Sequence, residues 1–180
     1  MDHQEIEHIL GLAEGNWKPS TTNKGADYEE CKEEDNFTKN APSLSRTSYC
    51  CNLGYGHDSV VRRLETRVAA LAGVSVDFLE SLNLVRYHPG QFFKEHHDGA
   101  CRQKTVFVYL NDIQDGGHTI FTTLGFKIRP VKGMAVMWPN INADGTADLD
   151  LMHEGEAPFN EVKYAINCFV NIDRLEEIVQ

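Results

Sequence analysis

The chain has no apolar run approaching the roughly 20 residues that cross a bilayer. Its amino terminus, Met-Asp-His-Gln-Glu-Ile-Glu, has neither the basic start nor the apolar stretch of a secretory leader. These absences predict a soluble, cytoplasmic chain with no membrane partner. Basic charge is also scarce: 17 Lys and Arg stand against 27 Asp and Glu, for a net charge of −10 and a pI near 5.2. Non-specific nucleic-acid binding rests on clustered Lys and Arg, so no nucleic-acid partner is expected. The five cysteines, Cys31, Cys50, Cys51, Cys101 and Cys168, are an odd number without metal-site spacing, which in a reducing compartment predicts free thiols that mostly pack. Internal repeats and low-complexity tracts are absent too. What remains is 180 residues with 41% hydrophobic content, enough for one compact domain over residues 1–180.

The chain divides into an early helical part and a later strand-rich part. Ile6, Ile9, Leu10 and Ala13 recur at helical spacing over residues 4–13, with Gly15 as a stop. Residues 17–42 turn polar and predict a hairpin with a long loop or a poorly ordered segment; loops of this length often act as lids. The acidic run at residues 27–35 within it reads as a solvated loop, with attraction of a cationic peptide as the rival reading. Asp58 caps a clear helix through Val60, Val61, Leu64, Val68 and Leu71, and Gly73 ends it. A short second helix is expected over residues 75–82, presenting Glu80. Thereafter strands are predicted at residues 83–87, 92–97, 104–110, 118–122, 126–129, 134–138 and 163–172, separated by Gly, Pro and Asn. Seven short strands after two helices predict a mostly β fold with N-terminal helices: a double-stranded β-helix, or jelly roll, with its core over residues 82–172, backed by α-helices.

The segment with the most chemistry is Tyr87-His-Pro-Gly-Gln-Phe-Phe-Lys-Glu-His96-His-Asp98. On an extended backbone the two-residue period turns His96 and Asp98 to one face and His97 away. His153 can supply a distant third ligand. Two His and one carboxylate hold one face of an Fe(II) ion and leave the other open for oxygen and a co-substrate. A lone His-x-Asp is weak, since eight histidines in such a chain produce about half a chance match. Ten residues after His153, however, Lys163 opens the strand-like run Lys163-Tyr-Ala-Ile-Asn-Cys-Phe-Val-Asn171. A lone cation there suits a co-substrate carboxylate.

With these residues in order, the chain resembles the Fe(II)- and 2-oxoglutarate-dependent prolyl 4-hydroxylases, particularly the collagen-type and algal branch with a lysine ten residues past the distal histidine. The likeness runs from about residue 44 to 172, through Arg46-Thr-Ser48, Phe-Leu-Glu80, Tyr87…His96-x-Asp98, Arg102, Gly116-Gly-His-Thr119, His153 and Lys163. It implies His96, Asp98 and His153 as metal ligands, with Lys163 on the distal carboxylate of 2-oxoglutarate helped by Tyr87 and Thr119. It further implies Arg46, Ser48, Glu80 and Arg102 near a proline-containing peptide or protein substrate, and ascorbate as the reductant that rescues oxidised iron. The sequence departs from the family at His118, where Glu is usual, at Phe169 in place of Trp, at Asn171 in place of a later His, and in a short loop from Asp98 to Arg102. The substrate is therefore open.

Rival readings stand beside these. His88 and His118 lie in turn-like segments, where a capping or exposed role is favoured over ligation. Trp138 reads as core and Arg102 alone as a surface ion pair. Cys101, between Asp98 and Arg102, would sit at the mouth of the site. At the level of function, the same oxidation on another residue or a small molecule, or a non-catalytic metal-binding jelly roll, are the alternatives.

Overall fold

The computed structural model describes residues 1–21 and 44–175. Its elements are α1 (His3–Ala13), β1 (Lys18–Pro19), β2 (Tyr49–Asn52), α2 (Ser59–Ala72), β3 (Asn83–Tyr87), β4 (Phe93–His96), β5 (Arg102–Tyr109), β6 (Thr119–Phe121), β7 (Phe126–Ile128), β8 (Ala135–Pro139), β9 (His153–Gly155) and β10 (Lys163–Asn171). The strands form a six-stranded sheet in the order β1-β2-β3-β10-β5-β8 and a four-stranded sheet in the order β4-β9-β6-β7. The pairs are antiparallel, and the fold is the expected double-stranded β-helix. The expected lid segment falls largely on residues 22–43, outside the described residues.

Both helices start and stop where local chemistry directs. Asp2 caps α1 in a reciprocal capping box with Glu5. Asp58 accepts the Val60 and Val61 N–H groups at the start of α2, and Gly73 closes it at φ 74°, a conformation cheap only for glycine. The apolar stripe Val61, Leu64, Val68 and Ala72 packs with Ile6, Ile9 and Ala13 of α1 against Leu84, Val106, Val108, Ile166, Cys168 and Val170 of the large sheet. Strand alternation gives the same sheet a second inner face, with Val85, Tyr87, Phe107, Tyr109 and Ala165 joined by Phe121 and Trp138. The helices thus cover one face and leave the other to build the site. No described helix is long and apolar enough to cross a membrane.

Three expectations are corrected. Residues 75–82 form only a short 3₁₀ turn at Val76–Phe78. Leu79 instead bridges Val170 and the Glu80 N–H donates to the Phe169 carbonyl, so sheet-edge pairing overrides helix formation. Three strands escaped the sequence reading: the two-residue β1, its partner β2 in the Tyr-Cys-Cys-Asn run, and β9, only three residues long. Finally, Cys101 is disulfide-bonded rather than free. Cys50, Cys51 and Cys168 are free as expected. Chain spacing cannot disclose a pairing made by tertiary proximity.

Candidate active site

The sheets meet around His96, Asp98 and His153, whose donor atoms lie within 4.8 Å of one another. His96 ends β4 and His153 begins β9, and the two are register partners across the antiparallel pair. Asp98 follows two residues later, off the strand end, with one carboxylate oxygen 3.7 Å from His96 Nε2 and the other 3.7 Å from His153 Nε2. Each imidazole is held by its far nitrogen: His96 Nδ1 lies 2.8 Å from the Lys94 carbonyl and His153 Nδ1 3.0 Å from the Leu151 carbonyl. A carbonyl only accepts, so Nδ1 carries the proton in each ring and Nε2 presents its lone pair inward. The Phe93 ring stacks on His96 at 3.5 Å, and the Arg46 guanidinium also lies over Phe93, 4.6 Å from its centroid.

The electrostatics suit a cation. Burial, then the neighbouring His153, push His96 down to about 3, so it stays neutral at any working pH. Burial alone would raise Asp98, but His153, His96 and a hydrogen bond from Thr105 outweigh it and hold the carboxyl below its usual range. Two imidazoles presenting Nε2 and one carboxylate, open on one side, are the donor set that suits Fe(II). His97 turns away as expected: it is 5% exposed and accepts the Gly99 N–H at Nδ1, 3.0 Å.

Lys163 opens β10 on the inner face and is 1% exposed. Its ammonium lies 5.4 Å from the Tyr87 and Phe107 ring centroids and 5.5 Å from that of Tyr109. Burial pulls its pKa down to about 7, opposed only by the more distant Glu156 carboxylate. Among the described residues no carboxylate forms an ion pair with it. Thr119, at the start of β6, shares a 2.7 Å hydrogen bond with the Tyr109 hydroxyl. Tyr109 was missed in the sequence; burial raises its hydroxyl to about 12, so it remains a neutral donor. Its only sequence signal was strand alternation, which places it on the same face as Phe107. The fold thus gathers Tyr87, Thr119, Tyr109 and Lys163 into one buried polar corner.

The expected peptide contacts are placed differently from one another. Arg46 Nε donates to Ser48 at 3.0 Å, and Ser48, 2% exposed, passes its proton to Ser20 at 2.9 Å. Ser48 therefore braces Arg46 from behind. Glu80 and Arg102 form a bidentate pair at 2.7 and 2.9 Å, and Arg102 also reaches the Asp98 carbonyl at 3.0 Å and lies over the Phe169 ring. His118, at the family's Glu position, pairs with Glu156 at 2.5 Å.

The sequence pattern of the 2OG-Fe(II) oxygenase superfamily matches residues 82–171. The chain belongs to that superfamily. It is 31% identical over 159 residues to the probable prolyl 4-hydroxylase 11 of Arabidopsis thaliana, covering 84% of this chain and 54% of that protein. It is 32% identical over 114 residues to the prolyl 4-hydroxylase subunit alpha-1 of Rattus norvegicus, covering 56% of this chain and 21% of that one. The chain therefore spans only part of these relatives' length. In three dimensions it superposes on a viral collagen prolyl hydroxylase from Paramecium Bursaria Chlorella virus-1, solved with 2-oxoglutarate, with a TM-score of 0.71 at 21% identity, covering 94% of this chain and 91% of that one. A Trichoplax adhaerens prolyl hydroxylase in complex with a hypoxia inducible factor peptide fragment superposes at 0.68 with 17% identity, covering 94% and 77%. At these identities the superpositions speak for the fold. Family and site together support Fe(II) and 2-oxoglutarate, and His96, Asp98 and His153 are the described group whose donor atoms could hold the metal.

Proposed function

We propose that this chain is a prolyl 4-hydroxylase, a single dioxygenase domain over residues 1–180. It would use oxygen and 2-oxoglutarate to hydroxylate prolines in a peptide or protein, releasing succinate and carbon dioxide. The observation that carries the reading is the buried Lys163 ammonium, without a carboxylate partner among the described residues, in the same inner face as the triad. A buried cation left unpaired is costly, and a binding-only metal module has no use for one. A dicarboxylate co-substrate removes that cost.

Fe(II) held by His96, Asp98 and His153 would supply the oxygen activation that no side chain can provide. The protein's own share is binding and placement. Lys163 would neutralise the distal carboxylate of 2-oxoglutarate, with the hydrogen-bonded Tyr109–Thr119 pair offering its one remaining hydroxyl proton beside it and Tyr87 walling the corner. Phe107, Phe121 and Trp138 exclude water from the inner face. Arg46, stacked on Phe93 at the edge of the site, is the cation best placed to meet a peptide carbonyl, whereas Glu80 and Arg102 must first exchange their mutual pair for the substrate. Ascorbate, which reduces iron oxidised in unproductive cycles, belongs to this reading as an auxiliary.

The test is incubation with Fe(II), ascorbate, 2-oxoglutarate and proline-rich peptides, reading succinate and the peptide mass together. One oxygen gained on proline per succinate released supports the reading. Succinate with no peptide gain leaves a dioxygenase of other specificity, and no succinate refutes both. A cytoplasmic location is likewise a proposal, and it requires Cys101 to be reduced there. In protein from reducing cells Cys101 should then react as a free thiol; a Cys101 that stays blocked until reductant is added would contradict the location.

A further inference from the structure

Asp98 is the one ligand whose orientation is not fixed by its own strand, because it follows the end of β4. Its side chain is instead met by Thr105 of β5, whose hydroxyl lies 2.7 Å from Asp98 Oδ2. Thr105 is completely buried and in turn lies 2.9 Å from Asn140 Nδ2, also completely buried. The proton directions follow by elimination. An ionised carboxylate only accepts, so the single Thr105 proton must point to Asp98, and the Thr105 oxygen must then receive an amide hydrogen from Asn140. Asn140 is fixed from both sides of its backbone: its N–H donates to the Gln103 carbonyl and its own carbonyl accepts the Asp148 N–H.

We propose that Thr105, aimed by Asn140, is the positioning residue that makes Asp98 a one-oxygen ligand. With Oδ2 held by a hydroxyl, Oδ1 is the oxygen left without a side-chain hydrogen bond, and the carboxylate is kept from swinging both oxygens onto the ion. A carboxylate that bound through both would fill a position that a two-point co-substrate needs. The inference rests on the metal reading of the His96, Asp98 and His153 set but not on the identity of the substrate.

Three variants of the full chain test it: Thr105→Val, which keeps shape and removes the hydroxyl; Thr105→Ser, which restores the hydroxyl without the methyl; and Asn140→Asp, which offers Thr105 a competing acceptor and so reverses the relay. The readouts are Co(II) affinity by calorimetry and the visible ligand-field spectrum of the Co(II) protein, without turnover. Thr105→Val and Asn140→Asp are expected to change Co(II) affinity by about 10- to 100-fold, as loss of outer hydrogen bonds to a ligand does, and to alter the spectrum, while Thr105→Ser stays within about threefold of the native protein. An unchanged spectrum and affinity in Thr105→Val, or a Thr105→Ser variant as altered as Thr105→Val, overturns the proposal. If Thr105→Val does not fold, Asn140→Asp decides: a native spectrum there overturns it. Native protein that takes up no Co(II) at all refutes the metal site itself.

Discussion

Replacing Lys163 with methionine separates function from stability, because the two respond in opposite directions. The substitution keeps a long unbranched side chain and removes only the charge. Burying that charge moves the ammonium from 10.5 to about 7, which at about 1.4 kcal/mol per pH unit is a folding cost on the order of 5 kcal/mol as an upper figure. The folded pKa is the depressed one, so between pH 7 and 10.5 the unfolded chain binds a proton that the folded chain does not. Native stability therefore rises with pH across that window, and the cost is fully present at pH 7 and below. The co-substrate-free Lys163→Met variant should melt several degrees above the native protein at pH 6, with the gap narrowing by pH 9. Its affinity for 2-oxoglutarate should fall by roughly a hundredfold or more, the consequence of removing one partner of a buried charge pair worth about 3 kcal/mol. Thermal melts at the two pH values and calorimetric titration of the Mn(II)-loaded protein measure both. In the native protein above pH 7, binding should take up a proton, visible as a heat that changes with buffer. Unchanged affinity in the variant, or equal melting temperatures at pH 6, refutes the assignment of Lys163 as the buried anchor.

Three further outcomes are expected. His153→Ala should lower succinate formation at least about a hundredfold at saturating Fe(II), while circular dichroism stays native; activity within a few-fold of native removes His153 from the ligand set. Tyr109→Phe should weaken 2-oxoglutarate binding roughly fivefold, the value of one lost hydrogen bond of about 1 kcal/mol; an unchanged dissociation constant takes Tyr109 out of the co-substrate corner. Gly116→Ala should destabilise by about 2 kcal/mol or more, since a Cβ at φ 73° would meet the Ala157 carbonyl oxygen at 2.4 Å; a melting temperature within one or two degrees of native, by the usual scaling of about 2–4 °C per kcal/mol, would contradict that contact.

The clustering of His96, Asp98 and His153 was legible because each is marked by residue type and by its spacing to a neighbour in the motif. His96-x-Asp98 fits an extended backbone, and Lys163 follows His153 by a count that one loop and one strand preserve. The buried helices were legible for a similar reason, since Asp58 and Gly73 act on backbone groups within four residues of themselves. What escaped depends on partners far along the chain. Thr105 looks like an ordinary strand residue until Asn140, just past β8, arrives beside it, and Tyr109 does until β6 and β10 arrive. Residues 75–82 have enough apolar content for a helix, and the bridge from Leu79 to Val170 stops it after one 3₁₀ turn. The Cys101 bond is the same kind of miss.

The division of β10 between two environments has a consequence for how this protein can change over evolutionary time. Lys163, Ala165 and Asn167 stand on one face of that strand, and Ile166, Cys168 and Val170 belong to the helix-covered core on the other. A single-residue insertion or deletion inside the strand would exchange the faces for every residue past it, putting Asn167 or Phe169 into the helical core and Ile166 into the reaction chamber. Length variation among descendants should therefore concentrate in the connections, such as the short stretch between Asp98 and Arg102, while the interval from His153 to Lys163 stays at ten residues even where its composition drifts.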